Sequence, residues 1–454
     1  MNINKNTIGE VLRLALPAVG EMILYMMIWV FDTMMVGRYG GNLAVSTVGL
    51  GSEIISTFSN ILIASGISIG ITSLVARNIG ANKKDKAEEY ATLGFASGLV
   101  IALILSLTFF FFSENILGLA GADNEVINLG SPYLKIASIG IFFSMLMNAL
   151  NGALRGSGNT KIPLLASIII NLINIPFDYL LIFGKFGFPE LGVKGAAIAT
   201  SFAQIVGFIF ILIYISKYST IKPRLKYITE FKFERFSSLI RLSIPSSLQE
   251  GAFSISRLLS NVFIISLGTI AFASNQITTT IESISFMPGW GFAVAATTLV
   301  GHKVGQGDYK KAREYANTSI FLGVIVMLFC SILFLVIPNL LIRLFITPSE
   351  TEVIKLGTYC LMIAAIEQPF MAISMIVGGS LKGLGDTKTP FKVALFSSWI
   401  IRLPLMFIVI YTLKLSVVYV WIITTLQWII DGSLVYLLYR KKFKKILSKI
   451  KKQL

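Results

Sequence analysis

Apolar runs as long as a bilayer is thick constrain the fold of this chain more than any motif does. "LVIALILSLTFFFF" (residues 99–112) and "IFLGVIVMLFCSILFLVIPNLLI" (residues 320–342) are two of them. A helix needs about 20 apolar residues to cross the hydrocarbon core. Twelve such spans can be read, centred near residues 25, 60, 102, 142, 173, 205, 253, 288, 330, 368, 402 and 427. The segments are uniformly apolar and lack two-residue alternation, which indicates helices and not the strands of a barrel. Only 14% of the 454 residues are charged, against about a quarter in soluble domains. The expected fold class is therefore an all-α polytopic membrane protein. No removable signal peptide is expected, because the first apolar run continues well past the small-residue pattern "LALPAV".

The chain repeats itself. "RLALPA" from Arg13 returns as "RLSIPS" from Arg241, and "VARNIGANKKDKAEEYA" from Val75 as "VGHKVGQGDYKKAREYA" from Val300. "EVINLG" from Glu125 returns as "EVIKLG" from Glu352, and "LRGSGNTKIP" from Leu154 as "LKGLGDTKTP" from Leu381. The offsets are 228, 225, 227 and 227. Two homologous six-span halves follow: a first lobe over residues 1–216, a polar, basic linker over 217–236, and a second lobe over 237–454. Six is even, so both halves enter and leave on the same side. The lobes should then be related by a pseudo-two-fold along the membrane normal, with a substrate site near mid-membrane at their interface.

The formal charge of +16 suggests nucleic acid only until the charges are located. The N-terminus, the even-numbered loops and the C-terminus hold 30 of the 39 Lys and Arg, and the odd-numbered loops hold 7. By the positive-inside rule both termini are expected in the cytoplasm, and the chain in the cell membrane. The basic tail "RKKFKKILSKIKKQL" suits anionic headgroups, so the expected macromolecular surface is lipid and not nucleic acid. Cys330 and Cys360 lie inside spans and read as packing residues. No phosphate-binding loop, HExxH or dinucleotide fingerprint occurs, so neither a nucleotide-driven pump nor an enzyme is indicated.

Acids at membrane depth carry the functional signal. Eight fall inside the spans: Glu21, Asp32, Glu53, Asp178, Glu250, Glu282, Glu367 and Asp431, against Arg257 and Arg402. Each costs roughly 2.5–3.5 kcal/mol at a helix centre, so they are expected to face protein or a water-filled, net acidic cavity. In span one, Glu21, Tyr25, Ile28 and Asp32 share a helical stripe flanked by Met22 and Trp29. An acid bordered by aromatics and a thioether suits an apolar cation, although any one such residue is more often plain packing. In span five, "NLINIPFDYLL" sets Asn174 and Asp178 one turn apart, with Pro176 freeing a carbonyl near Leu172. These groups suit a proton or sodium ion. In the second half Pro245 precedes Glu250 as Pro17 precedes Glu21. Glu250 and Arg257 share a face and could partly neutralise each other, and Arg402 with Asp431 is a candidate structural pair. Glu282, Phe286, Met287 and Glu367 complete the expected cavity lining.

These residues resemble the multidrug and toxic compound extrusion (MATE) transporters over essentially the full length. The resemblance rests on "VFDTMMVG", "LVARNIGANKKDKA", "NGALRGSGNTKIP", "NIPFDYLLIFG" with "LGVKGAAIAT", "IESISFMPGWGFAVAATTLVGHKVGQG" and "GGSLKGLGDTKTP". It implies two six-helix lobes in a V and export of hydrophobic organic cations against inward protons or sodium. It also implies an N-lobe ion site of Asp32, Asn174, Asp178 and Thr200, which is the one candidate sodium site; no resident cofactor or other metal is implied. Where other branches carry a span-ten acid after "EQPF", this chain has Met371, which shifts the expected ion site to the N-lobe. A monomer is expected. The nearest rival is a flippase of lipid-linked oligosaccharide, whose pyrophosphate calls for a basic cavity; an ion channel is more distant.

Overall fold

The computed structural model describes residues 5–346 and 349–453. Twelve long helices run in chain order: α1 Lys5–Gly41, α2 Leu43–Gly80, α3 Lys84–Phe111, α4 Asn124–Gly156, α5 Lys161–Phe183, α6 Val193–Lys217, α7 Phe233–Ile265, α8 Thr269–Gly305, α9 Tyr309–Val336, α10 Thr351–Gly383, α11 Lys388–Thr412 and α12 Val417–Lys452. Eleven of them are long and apolar enough to cross a membrane. The twelfth, α7, contains Gln249, Glu250 and Arg257 and is too polar to qualify on hydropathy alone. The described residues contain no strand, as uniformly apolar segments require, since a lone strand cannot satisfy its backbone in lipid.

Local chemistry sets the breaks. α1 and α2 are two helices that meet at a kink at Gly41, whose φ of 60° favours a residue without a Cβ. The side chain of Asp123 caps α4 by accepting from the Val126 amide at 3.0 Å, and Asp308 caps α9 by accepting from the Lys311 amide at 2.9 Å. Gly184 closes α5 in the left-handed conformation.

The chain packs as two compact units. The N-unit is residues 20–247; the C-unit is residues 5–19 together with 248–453. The repeat divides the sequence at 217–236, but packing divides it within three residues of Pro17 and of Pro245. A proline removes one backbone hydrogen bond and lets a helix change direction, so each unit takes in the first turns of one helix from the other sequence half.

Inside each unit the repeat reappears atom by atom. In the N-unit the Thr72 hydroxyl on α2 donates to the Gly152 carbonyl on α4 at 3.0 Å. In the C-unit the Thr297 hydroxyl on α8 donates to the Gly379 carbonyl on α10 at 2.9 Å. A Cβ on Gly152 would come within 2.7 Å of the Ser68 carbonyl, and one on Gly379 within 2.4 Å of the Ala293 carbonyl. Glycine at these crossings allows backbones to touch, which is how helices associate where no hydrophobic force separates protein from solvent. Around them lie two apolar cores, one built on Ile71, Met145, Leu150 and Ile211, the other on Phe292, Tyr315, Met327 and Tyr439.

Candidate cation-coupling site

α1, α5 and α6 bring Asp32, Asn174, Asp178 and Thr200 together in the N-unit. The Thr200 hydroxyl donates to Asp32 Oδ2 at 2.9 Å, and Asn174 Nδ2 donates to the Thr200 hydroxyl at 3.1 Å. The Asp178 carboxyl faces that of Asp32 within hydrogen-bonding reach. Asn174 and Asp178 are fully buried and Asp32 is 8% exposed. α5 remains helical through Pro176, and the four-residue spacing of Asn174 and Asp178 keeps both on the face turned to α1.

The unsatisfied atoms define what the site can do. Asp32 Oδ1, Asn174 Oδ1 and both Asp178 oxygens are buried and receive no hydrogen from any donor. Two facing carboxylates in low dielectric repel strongly, and a proton or a small cation between them relieves both the repulsion and the orphaned lone pairs. The four orphaned atoms are carboxyl and amide oxygens, the ligand type for hard cations. Sequence reasoning missed Tyr133 on α4, which is 7% exposed and within electrostatic reach of both carboxyls. Its hydroxyl pairs with Ser52 at 2.8 Å. Only a conspicuous polar-aromatic residue in an apolar helix could have flagged it.

The remaining expected residues disperse. Glu21 forms a buried ion pair with Arg155 at 2.5 Å, so it is not a free carboxylate. The sequence reading counted only Arg257 and Arg402 as basic residues at depth. Arg155 and Lys382 belong with them, 8% and 9% exposed, because the ends of α4 and α10 that carry them are packed inside the units. Glu53 is exposed, so of the two expected settings, protein or a water-filled cavity, it is not packed in protein. The expected stripe is split: Glu21, Ile28 and Asp32 are buried, while Tyr25 and Trp29 are nearly half exposed.

In the C-unit, Glu367 lies fully buried beside Glu282, accepts from the Thr425 hydroxyl at 3.1 Å, and has Arg402 in electrostatic reach. Glu250 acts on Lys382. Arg402 and Asp431 do not form the expected pair. Arg402 faces Glu367 and Glu282, whereas Asp431 accepts from Ser374 and, at 2.6 Å, from Ser397. Helical spacing put both on spans eleven and twelve but could not rotate the two helices against each other. Phe286 and Met287 are half-buried on α8, Phe286 with its ring edge-on to Trp290. Among the described residues no cluster of three or more His, Cys, Asp and Glu could hold a metal ion.

The MatE family model matches residues 17–180 and again 245–408. The chain belongs to the MATE family. Probable multidrug resistance protein NorM of Thermotoga maritima is 31% identical over 418 residues, covering 91% of this chain and 88% of that protein. Multidrug resistance protein MdtK of Pectobacterium atrosepticum is 26% identical, covering 86% and 85%. Among solved structures, an outward-facing multidrug resistance MATE family transporter of the MOP superfamily matches with a TM-score of 0.89 at 21% identity, covering 98% of this chain and 99% of that one. The chain is thus a multi-pass membrane transporter of a family with multidrug efflux members, and the resemblance read from its motifs holds.

Proposed function

We propose that this MATE protein is a secondary antiporter of the cell membrane, with both termini cytoplasmic, that exports hydrophobic organic cations in exchange for an inward proton or sodium ion. In this reading the coupling ion binds at Asp32 and Asp178, with Asn174 and Thr200 orienting the pair. The observation that carries it is the facing, buried carboxyls with three oxygens lacking any donor and no basic residue among their partners. The exposed rings of Trp29 and Tyr25, about one and two turns from Asp32 on α1, offer an organic cation π-faces close to the charge. A proton entering down 100 mV and one pH unit releases about 3.7 kcal/mol, enough for a roughly few-hundred-fold gradient of a neutral substrate.

Dye efflux from inside-out vesicles, driven by a pH jump and a sodium jump applied separately, tests both coupling and ion. Wild-type transport should respond to one of the jumps. Asp32→Asn and Asp178→Asn should each abolish the response while the protein still folds. Undiminished ion-driven transport in both variants rejects the assignment.

A further inference from the structure

On the N-unit, where α2 ends, α3 begins and the first turns of α7 pass, lies a cavity of about 400 Å³. Five basic residues line it: Arg77, Lys83, Lys86, Arg235 and Arg241. No acid is among the lining residues. Glu89 adjoins it and bridges Arg235 at 3.4 Å, and the Arg235 guanidinium lies over the Tyr90 ring at 5.9 Å. Even with Glu89 counted, positive charge is in large excess. Leu74 and Leu242 supply apolar wall beside the charges.

The repeat supplies an internal control. At the offsets of 225 and 228 already given, Arg77, Lys83, Lys86, Arg235 and Arg241 correspond to His302, Asp308, Lys311, Thr7 and Arg13, and Ser238 corresponds to Glu10. Asn78 likewise corresponds to Lys303, so with His302 neutral the C-unit positions carry three bases and two acids, and Glu314, the counterpart of Glu89, balances them. Their groups satisfy one another: the Tyr315 hydroxyl donates to Glu10, the Thr7 hydroxyl to Glu314 at 2.5 Å, and Lys311 to Glu314 at 2.7 Å. The same scaffold is self-neutralised in one unit and left strongly basic in the other. Structural need alone explains the neutral version and not the basic one, because like charges crowded around a cavity destabilise the free protein.

We propose that this cavity is a binding site for a phosphate-bearing anion, taken from the headgroup of an acidic phospholipid or from soluble phosphate. Arg and Lys in a cluster recognise phosphate oxygens by charge-assisted hydrogen bonds, and the volume falls in the range of ligand pockets. Basic pockets at helix ends are suited to lipid headgroups, each Lys or Arg near the surface contributing about 1 kcal/mol.

Native mass spectrometry of the full chain released from detergent, with phosphatidylglycerol or phosphatidylcholine added, tests the site. Wild type should retain phosphatidylglycerol over phosphatidylcholine. The K83Q/K86Q/R241Q variant should lose that retention about tenfold or more, while K441Q/K444Q/K445Q, which removes three charges from the exposed tail, should not. K83R/K86R/R241K, which keeps the charge, should bind like wild type. Equal loss in the tail variant, loss in the charge-keeping variant, or no loss in the pocket variant overturns the proposal. Inorganic phosphate added in competition distinguishes the two sources: displacement at millimolar concentration identifies soluble phosphate, and its failure identifies the lipid headgroup.

Discussion

Each unit buries a pair of carboxyl groups, and the two pairs differ in company. Asp32 and Asp178 in the N-unit have a hydroxyl and an amide for neighbours. Glu282 and Glu367 in the C-unit have Thr425 and also Arg402. A guanidinium in electrostatic reach of two carboxylates offsets part of their charge, whereas a pair without one leaves that role to a proton or a mobile cation. Both pairs keep orphaned oxygens, but the C-unit pair has a cation in electrostatic reach and the N-unit pair has none among its partners. The helix ends repeat the contrast in reverse sign, since the N-unit keeps a cavity lined by five basic residues where the matching C-unit positions mix bases with acids.

The sharpest way to break the comparison is to neutralise each pair in turn. Asp32→Asn should reduce ion-driven efflux to background, and Glu367→Gln should leave ion-driven efflux standing; equal loss in both would erase the distinction between the units. Next in size is the removal of the C-unit cation. Arg402→Met removes the cation in electrostatic reach of Glu282 and Glu367 and should destabilise the protein, read as a fall in Tm that the added change Glu367→Gln partly reverses.

The two buried bases Arg155 and Lys382 offer a milder contrast. Arg155→Met strands Glu21, both side chains being under a tenth exposed, and should cost about 3 kcal/mol. Lys382→Met should cost less, because its neighbour Glu250 is only half-buried. Within the N-unit site, Thr200→Val removes the donor to Asp32 and should shift the half-effective ion concentration about tenfold, upward for sodium, in the same vesicle assay.

The smallest expected effect concerns the turn after α10. Asp386 accepts from Thr389 and from Lys442, where its counterpart Asn159 accepts from the Ile162 amide and donates to the Tyr214 hydroxyl. Burial pushes the Asp386 carboxyl up, but the hydrogen bonds from Lys442 and Thr389 outweigh it and hold the group below the ordinary carboxylate range. A depressed folded-state value stabilises above the unfolded value of about 4, and that contribution is lost as pH falls further. Thermal melts of wild type and Asp386→Asn should converge below about pH 4 and separate above it, the wild type being the more stable.

Much of this was legible before any coordinates. Asn174 and Asp178 share a face because four residues make one turn, and the family motifs drew Asp32 and Thr200 into the same set; the structure brings all four together. The "LRGSG" and "LKGLG" repeats mark the ends of α4 and α10, but not that Arg155 and Lys382 would be buried there. Tyr25 was expected on the stripe of Glu21 and Asp32. Tyr25 and Trp29 are nearly half exposed, which helical periodicity within α1 does not determine.

The sequence by itself determined the helical spans, the duplication, the family and the residues that share a face within one helix, because these depend on local periodicity and on repeats along one chain. Tertiary structure alone decided which partner each acid meets: Arg155 for Glu21, two serines for Asp431, and for Glu367 and Glu282 the electrostatic reach of Arg402. Each partner stands on a different helix, from 34 to 134 residues away. The rotation of one helix against another is set by side-chain packing, which no single helix encodes.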